Sequence, residues 1–245
     1  MEPVPRRLLI PLVAAVGLVV LLGGGAYVYY FSGLRTAPPT LTLATPSASA
    51  SPTTTPSTTP SGATTWTVAT GSLAGYRVKE QFVGQSSTHE AVARTSAVSG
   101  QVTITQSSTT YELSAATITV QLSGLASVDS VAGYNVTNRD RIVQRSLEVS
   151  SFPTTTFVAG SVALPDGAAS GQTVTVSVPG KLTIHGVTKD VTANLQLRVS
   201  GSTAQVAGTI ATNMTDFGVS PPNIGFTTVQ PAVTIEVSLN LMQSA

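Results

Sequence analysis

The sequence predicts an all-β fold: an antiparallel barrel or sandwich of about eight strands with one short helical excursion, preceded by a transmembrane helix and a disordered linker. Three observations carry this. Apolar side chains recur with period two through the last 180 residues, turn dipeptides separate the runs, and the residues ahead split into an uncharged apolar run and a Ser/Thr/Pro tract.

Residues 1–35 read as a membrane anchor. Arg6 and Arg7 precede Leu8–Phe31, a run of 24 residues without a charge. At 1.5 Å per residue such a helix is roughly 36 Å long, enough for a hydrocarbon core of about 30 Å. Tyr27, Tyr29, Tyr30 and Phe31 stand at its far end, where an interfacial aromatic belt belongs. Two arginines before the run and only Arg35 after it place the N-terminus in the cytoplasm and the rest outside the cell membrane. A cleaved signal peptide, cut near Gly23–Ala26, is the competing reading; the length of the run and its aromatic end favour an anchor that stays.

Residues 36–65 read as a linker, with 22 of 30 residues Ser, Thr or Pro and none charged. That composition cannot bury a core, so no secondary structure is expected. As a flexible coil it would span roughly 30 Å.

Residues 66–245 are the folded part, with 9 basic and 10 acidic side chains. Val102 and Ile104, then Ile118, Val120 and Leu122, then Val174, Val176 and Val178, each alternate with polar residues. So do Leu195, Leu197 and Val199, and finally Val233, Ile235, Val237, Leu239 and Leu241. Each run is a strand with one apolar and one wet face, the antiparallel pattern. Ser99–Gly100, Asp166–Gly167, Ser170–Gly171, Pro179–Gly180 and Ser200–Gly201 supply the turns. Val131–Leu147 breaks the alternation, holds the densest group of basic residues, Arg139, Arg141 and Arg145, and is the expected helix. A sheet of about eight strands closes without a free edge, and its interior either fills with side chains or holds one small ligand. Lining positions that are mostly Val, Ile, Leu and Ala leave room for a cavity, but periodicity alone does not choose between a cavity and a packed core.

Composition excludes several function classes. The whole chain carries 12 Lys and Arg against 11 Asp and Glu, too balanced for a nucleic-acid surface. Absence of Cys removes thiolate chemistry and Cys-type metal sites, and two histidines, His89 and His185, cannot form a three-His site. Asp216–Phe217–Gly218 has none of the companions of a kinase metal motif and reads as a turn. His185, beside Gly186, reads as a hydrogen-bonded corner residue, with contact to a ligand head group as the alternative. Arg139, Asp140, Arg141 and Arg145 are the one charge-dense patch, either a solvated helix face or an entrance cluster for an anionic or phenolic head group or a lipid surface. Glu80 and Glu90 form no recognisable catalytic pair. The sequons at Asn135 and Asn213 read as coincidence.

Several stretches stand in order along the chain: the Trp-led strand Trp66–Thr70, the strand Ser72–Phe82, Asn138–Arg139–Asp140 followed by Ser146–Leu147, and Phe152–Pro153 with Phe157. The most specific is the string Gly180–Lys189 (GKLTIHGVTK), and Asp216–Phe217–Gly218–Val219 follows. In these stretches, from Trp66 to Leu241, the chain resembles the YceI family of polyisoprenoid-binding proteins of the bacterial envelope. The chain departs from the family at Leu147, where an aromatic is usual, and in its anchor and Thr-rich stalk. The resemblance implies an extended, lipocalin-like barrel whose lumen takes the isoprenoid tail of a quinone or polyprenyl lipid. Phe82, Ile118, Val120, Phe157, Leu182, His185 and Phe217 are then the expected lumen or mouth residues, with Arg139, Asp140 and Arg141 as a head-group cluster. No enzymatic activity, cofactor, metal or nucleic acid is expected; the partners are the lipid and, through residues 8–31, the membrane. The reading from another class is a ligand-less β-domain serving as an envelope interaction or structural module. A lipid-modifying hydrolase would need a polar triad that this chain has little means to build. The volume of the lumen separates the first two readings.

Overall fold

The computed structural model describes residues 37–44, 62–84, 88–108, 110–131 and 136–244. The expected anchor, Leu8–Phe31, lies outside them; among the described residues no helix is long and apolar enough to cross a membrane.

Twelve strands are found among the described residues: β1 (Gly62–Val68), β2 (Leu73–Phe82), β3 (His89–Thr95), β4 (Val98–Ser107), β5 (Thr110–Gln121), β6 (Ala126–Ser127), β7 (Thr154–Ala159), β8 (Val162–Ala163), β9 (Val174–Ile184), β10 (Val187–Ser200), β11 (Thr203–Asn213) and β12 (Thr227–Gln243). One α-helix, α1 (Val136–Ser146), interrupts them inside the segment expected to be helical. Eight strands form the barrel, in the order β1-β4-β5-β7-β9-β10-β11-β12, and it closes where Trp66, Thr67 and Val68 pair antiparallel with Gln243, Met242 and Leu241.

Closure depends on the length of β12. Its C-terminal end pairs with β1, and the stretch Thr227–Ser238 pairs along the same edge with β2, which continues into β3 and β6 as a side flap. The β2 register shifts between Val229 and Val233, around Pro231, which has no N–H to give the ladder. Helix α1 lies against this flap: the Asp140 carboxylate accepts from the Ser127 backbone N–H at 3.0 Å and from its hydroxyl at 2.5 Å. The helix ends where Glu148 enters the left-handed region (φ 45°), and the Leu147 and Val149 amides bond back to Val143 and Gln144.

Two expected boundaries differ from the structure. Strand β1 starts at Gly62, inside the stretch read as linker, because Thr64 and Trp66 pair with Ile104 and Val102. Ala37–Ala44, also read as linker, lies extended across the outside of the barrel and hydrogen-bonds to it. Within its Thr/Pro composition, Leu41 and Leu43 are half-buried while Thr40 and Thr42 are exposed, the period-two signature of a docked extended chain.

Candidate functional site

The lumen is a continuous cavity of about 960 Å³. Small-molecule sites usually measure roughly 300–1,000 Å³, so this one suits a long ligand. The inward rows expected from alternation build its wall: Val102 and Ile104 of β4, Ile118 and Val120 of β5, Val176 and Val178 of β9, Leu195, Leu197 and Val199 of β10, and the row Val233 to Leu241 of β12. Small side chains such as Ala116, Ala193 and Ala204 stand among them, which is why the wall leaves space. Trp66, the only tryptophan, also faces the cavity.

Six of the seven expected lumen residues, Phe82, Ile118, Val120, Phe157, Leu182 and Phe217, line this cavity, and Arg139 does too. His185 does not. It sits in the tight β9–β10 turn with φ 51°, its ring edge-on to Phe152 at 4.8 Å and its Nε2 3.4 Å from Glu148 Oε1, so the turn aims it away from the lumen. Asp140 and Arg141 are likewise absent from the wall. Asp140 is spent on Ser127, and Arg141 donates to Asn138 along the helix surface. Helical periodicity separates the three neighbours: Val136, Arg139, Ile142, Val143 and Ser146 share the cavity-facing side of α1.

At the α1 end the apolar wall gives way to a buried polar cluster. Arg139 donates through Nη1 to Glu80 at 3.4 Å, through Nη2 to Asp129 and to the Ser127 hydroxyl at 2.8 Å, and through Nε to the same hydroxyl at 3.2 Å. His89 Nε2 lies 2.7 Å from the other Asp129 oxygen, and the Val92 amide donates to that carboxylate at 3.0 Å. Burial alone would raise the Asp129 pKa, but the His89, Arg139 and Val92 hydrogen bonds outweigh it and hold the group at about 2. Glu80 goes the other way: desolvation lifts its carboxyl above the ordinary range despite the Arg139 and His89 charges. Burial likewise pushes the Tyr76 phenol above its usual value. Glu80, Tyr76 and Arg139 all face the cavity. Beside them Ile224 and Phe226 line the cavity and are also exposed, and Val83 is exposed nearby, giving this end an apolar rim.

Sequence reasoning weighed Glu80 only as half of a catalytic pair and His89 only as a metal ligand, and it did not single out Tyr76, Ser127 or Asp129. A signal existed for the first: in β2 the inward set is Ala74, Tyr76, Val78, Glu80 and Phe82, so Glu80 is a charge in phase with an apolar row. Asp129 sits outside any strand, where alternation says nothing.

The Asp129 environment sets an acid limit. Its folded pKa lies below the unfolded value of 3.8, so its contribution is fully present above about pH 4 and is lost as pH falls toward 2. The difference corresponds to about 2 kcal/mol. Denaturant unfolding of Asp129→Asn measured from pH 5 to pH 2 is expected to be shallower in pH than wild type by about that amount; equal slopes would show that Asp129 is not held this way.

A search of curated proteins finds no match. Among solved structures, the chain is similar to a polyisoprenoid binding domain from Saccharophagus degradans implicated in plant cell wall breakdown, at 16% identity and TM-score 0.52, covering 73% of this chain and 98% of that one. It is also similar to BcnA of Burkholderia cenocepacia, at 18% identity and TM-score 0.48, covering 68% and 95%. The first likeness, at that identity, is one of fold. The model of the YceI-like domain matches residues 66–241, well over half of the chain, and the protein belongs to that family.

Proposed function

We propose that the protein is a carrier for an isoprenoid-tailed lipid, held outside the cytoplasm on its N-terminal anchor, and that it works by sequestration with no bond made or broken. The observation that carries this is the 960 Å³ aliphatic lumen. Each CH2 of a polyprenyl tail is worth about 0.8 kcal/mol when removed from water, and a Val/Leu/Ile-lined tube removes it without directional bonds. The polyisoprenoid-binding relative of the same fold supports the ligand class. A ligand-less module would have no use for so large a lumen.

The polar cluster supports a neutral head group. Arg139 is the cavity-facing cation among the described residues, and it is engaged by Glu80, Asp129 and Ser127. A phosphate would need that cation and would meet the field of two carboxylates. A phenol or quinone needs only hydrogen-bonding partners, which Glu80 and Tyr76 offer. The apolar rim of Val83, Ile224 and Phe226 is the proposed portal.

Trp66 makes this measurable, because no other tryptophan competes with its signal. Titration with a polyprenyl quinone is expected to quench its emission saturably at one equivalent, and a polyprenyl phosphate of equal tail length to bind at least about tenfold more weakly. No response to either lipid would contradict the carrier reading. Equal affinities would contradict only the head-group preference.

A further inference from the structure

The feature left unused by the lumen is an ionic cluster on the outside of the barrel. Glu236 alternates with the inward Ile235 and Val237 of β12 and so points outward, yet it is fully buried. Arg77 Nε and Arg94 Nε donate to its two oxygens at 2.8 and 2.7 Å, and Arg77 Nη1 donates to Glu90 at 2.8 Å. Gly75 stands directly between Arg94 and Glu236 in the sheet register. A Cβ there would lie 2.9 Å from Arg94 Cγ and 2.1 Å from the Ala93 carbonyl, so only glycine lets the arginine stem cross β2 to reach its carboxylate.

Ala37–Ala44 closes over this cluster. Arg77 Nη2 donates to the Pro38 carbonyl at 2.6 Å and Arg94 Nη2 to the Pro39 carbonyl at 2.6 Å. The Leu41 amide donates to Glu236 at 3.2 Å, and Arg198 on β10 donates to the Ala44 carbonyl. The segment thus runs crosswise from β3 and β2 over β12 to β10. Its eight residues reach at most about 28 Å, and the four strand spacings beneath them total roughly 19 Å. Recognition is through backbone carbonyls and one amide, with Leu41 and Leu43 turned toward the barrel. Proline at 38 and 39 suits this: neither has an N–H to leave unsatisfied, and both favour an extended chain.

We propose that the outer face of β3, β2, β12 and β10 is a docking surface for residues 37–44 of this chain, and that this contact is the mount of the barrel. The mount rests on the anchor of the proposed function. With the strap docked, the tether between Phe31 and the barrel is residues 32–36, at most about 18 Å, where an undocked chain would leave a 30-residue coil averaging roughly 30 Å and extending much farther. Arg77 is three residues from Glu80, so the strap begins only about 10 Å along β2 from the carboxylate near the portal, on the opposite face of the sheet. The barrel is held flank-on with its portal close to the bilayer.

The full-length chain in liposomes tests this. Leu41→Pro removes the amide that Glu236 accepts, and Leu43→Asp puts a charge where the apolar side chain docks; neither changes a residue of the barrel strands, so barrel folding is an internal control. In wild type the residue 41 amide is expected to be protected from hydrogen exchange at least about 100-fold, and Trp66 is expected to transfer energy efficiently to an acceptor on lipid head groups. Leu43→Asp is expected to abolish the Leu41 protection, and either variant to lower the transfer, with the barrel's melting temperature nearly unchanged. An unprotected Leu41 amide in wild type would overturn the docking surface. Protection lost on substitution with transfer unchanged would overturn the mount. Failure of the chain to float with liposomes would overturn the anchor, and with it the mount, while Leu41 protection would still report on the docking surface.

Discussion

Ala193→Phe is expected to leave the barrel folded and to lower isoprenoid affinity by two to three orders of magnitude. Ala193 lies on β10 opposite Val178, almost wholly buried, with its side chain on the cavity wall. A phenyl ring there intrudes into the middle of the lumen and displaces about one isoprene unit of the tail. Five carbons at about 0.8 kcal/mol each give roughly 4 kcal/mol, or up to three decades in Kd. Overpacking a filled core would cost about 1–3 kcal/mol of stability, but this ring has a cavity to enter, so thermal unfolding should change little. Phenylalanine also keeps Trp66 as the sole tryptophan reporter. An unchanged affinity would mean that the tail does not use the lumen beside Ala193.

Arg139→Ala is expected to be the most damaging single change to the fold. The guanidinium ties α1 to β2 through Glu80, to β6 through Ser127, and to the segment after β6 through Asp129. Removing it leaves two buried carboxylates without their shared cation. Breaking a buried pair from one side costs about 3–5 kcal/mol, which for a domain of this size lowers Tm by about 6–20 °C. Glu80→Gln introduced on top of Arg139→Ala should recover part of the loss, because it removes one of the stranded charges. A double-mutant cycle in which the two effects simply add would show that Glu80 and Arg139 do not act as a pair.

These effects mark which parts of the molecule alternation could reveal. Where one face is wet and the other lines the lumen, as along Val233–Leu241, the pattern gave both the strand and the direction of each side chain. It is silent for β3, whose Ala91, Val92 and Ala93 are almost wholly enclosed, and weak for β11, where Ala204, Ala207 and Gly208 carry little hydrophobic contrast. In the candidate site, Phe82, Phe157 and Phe217 could be placed because bulky apolar residues have few other places to go. His185 could not, because its direction is fixed by a left-handed backbone inside a two-residue turn. The Arg139–Asp129–His89 contacts join residues 10 and 40 positions apart, a separation that local pattern does not encode. The strap was hidden by its surroundings: Leu41 and Leu43 alternate correctly, but within a Ser/Thr/Pro tract whose average composition reads as disorder.

The proposed occupancy of the lumen by a lipid is tested most directly by native mass spectrometry of the protein taken gently from its producing cells, with Ala193→Phe prepared alongside. The expected result is one isoprenoid per wild-type chain, largely missing from the variant. A wild-type protein that emerges at its bare mass and takes up no added polyprenyl lipid would contradict it.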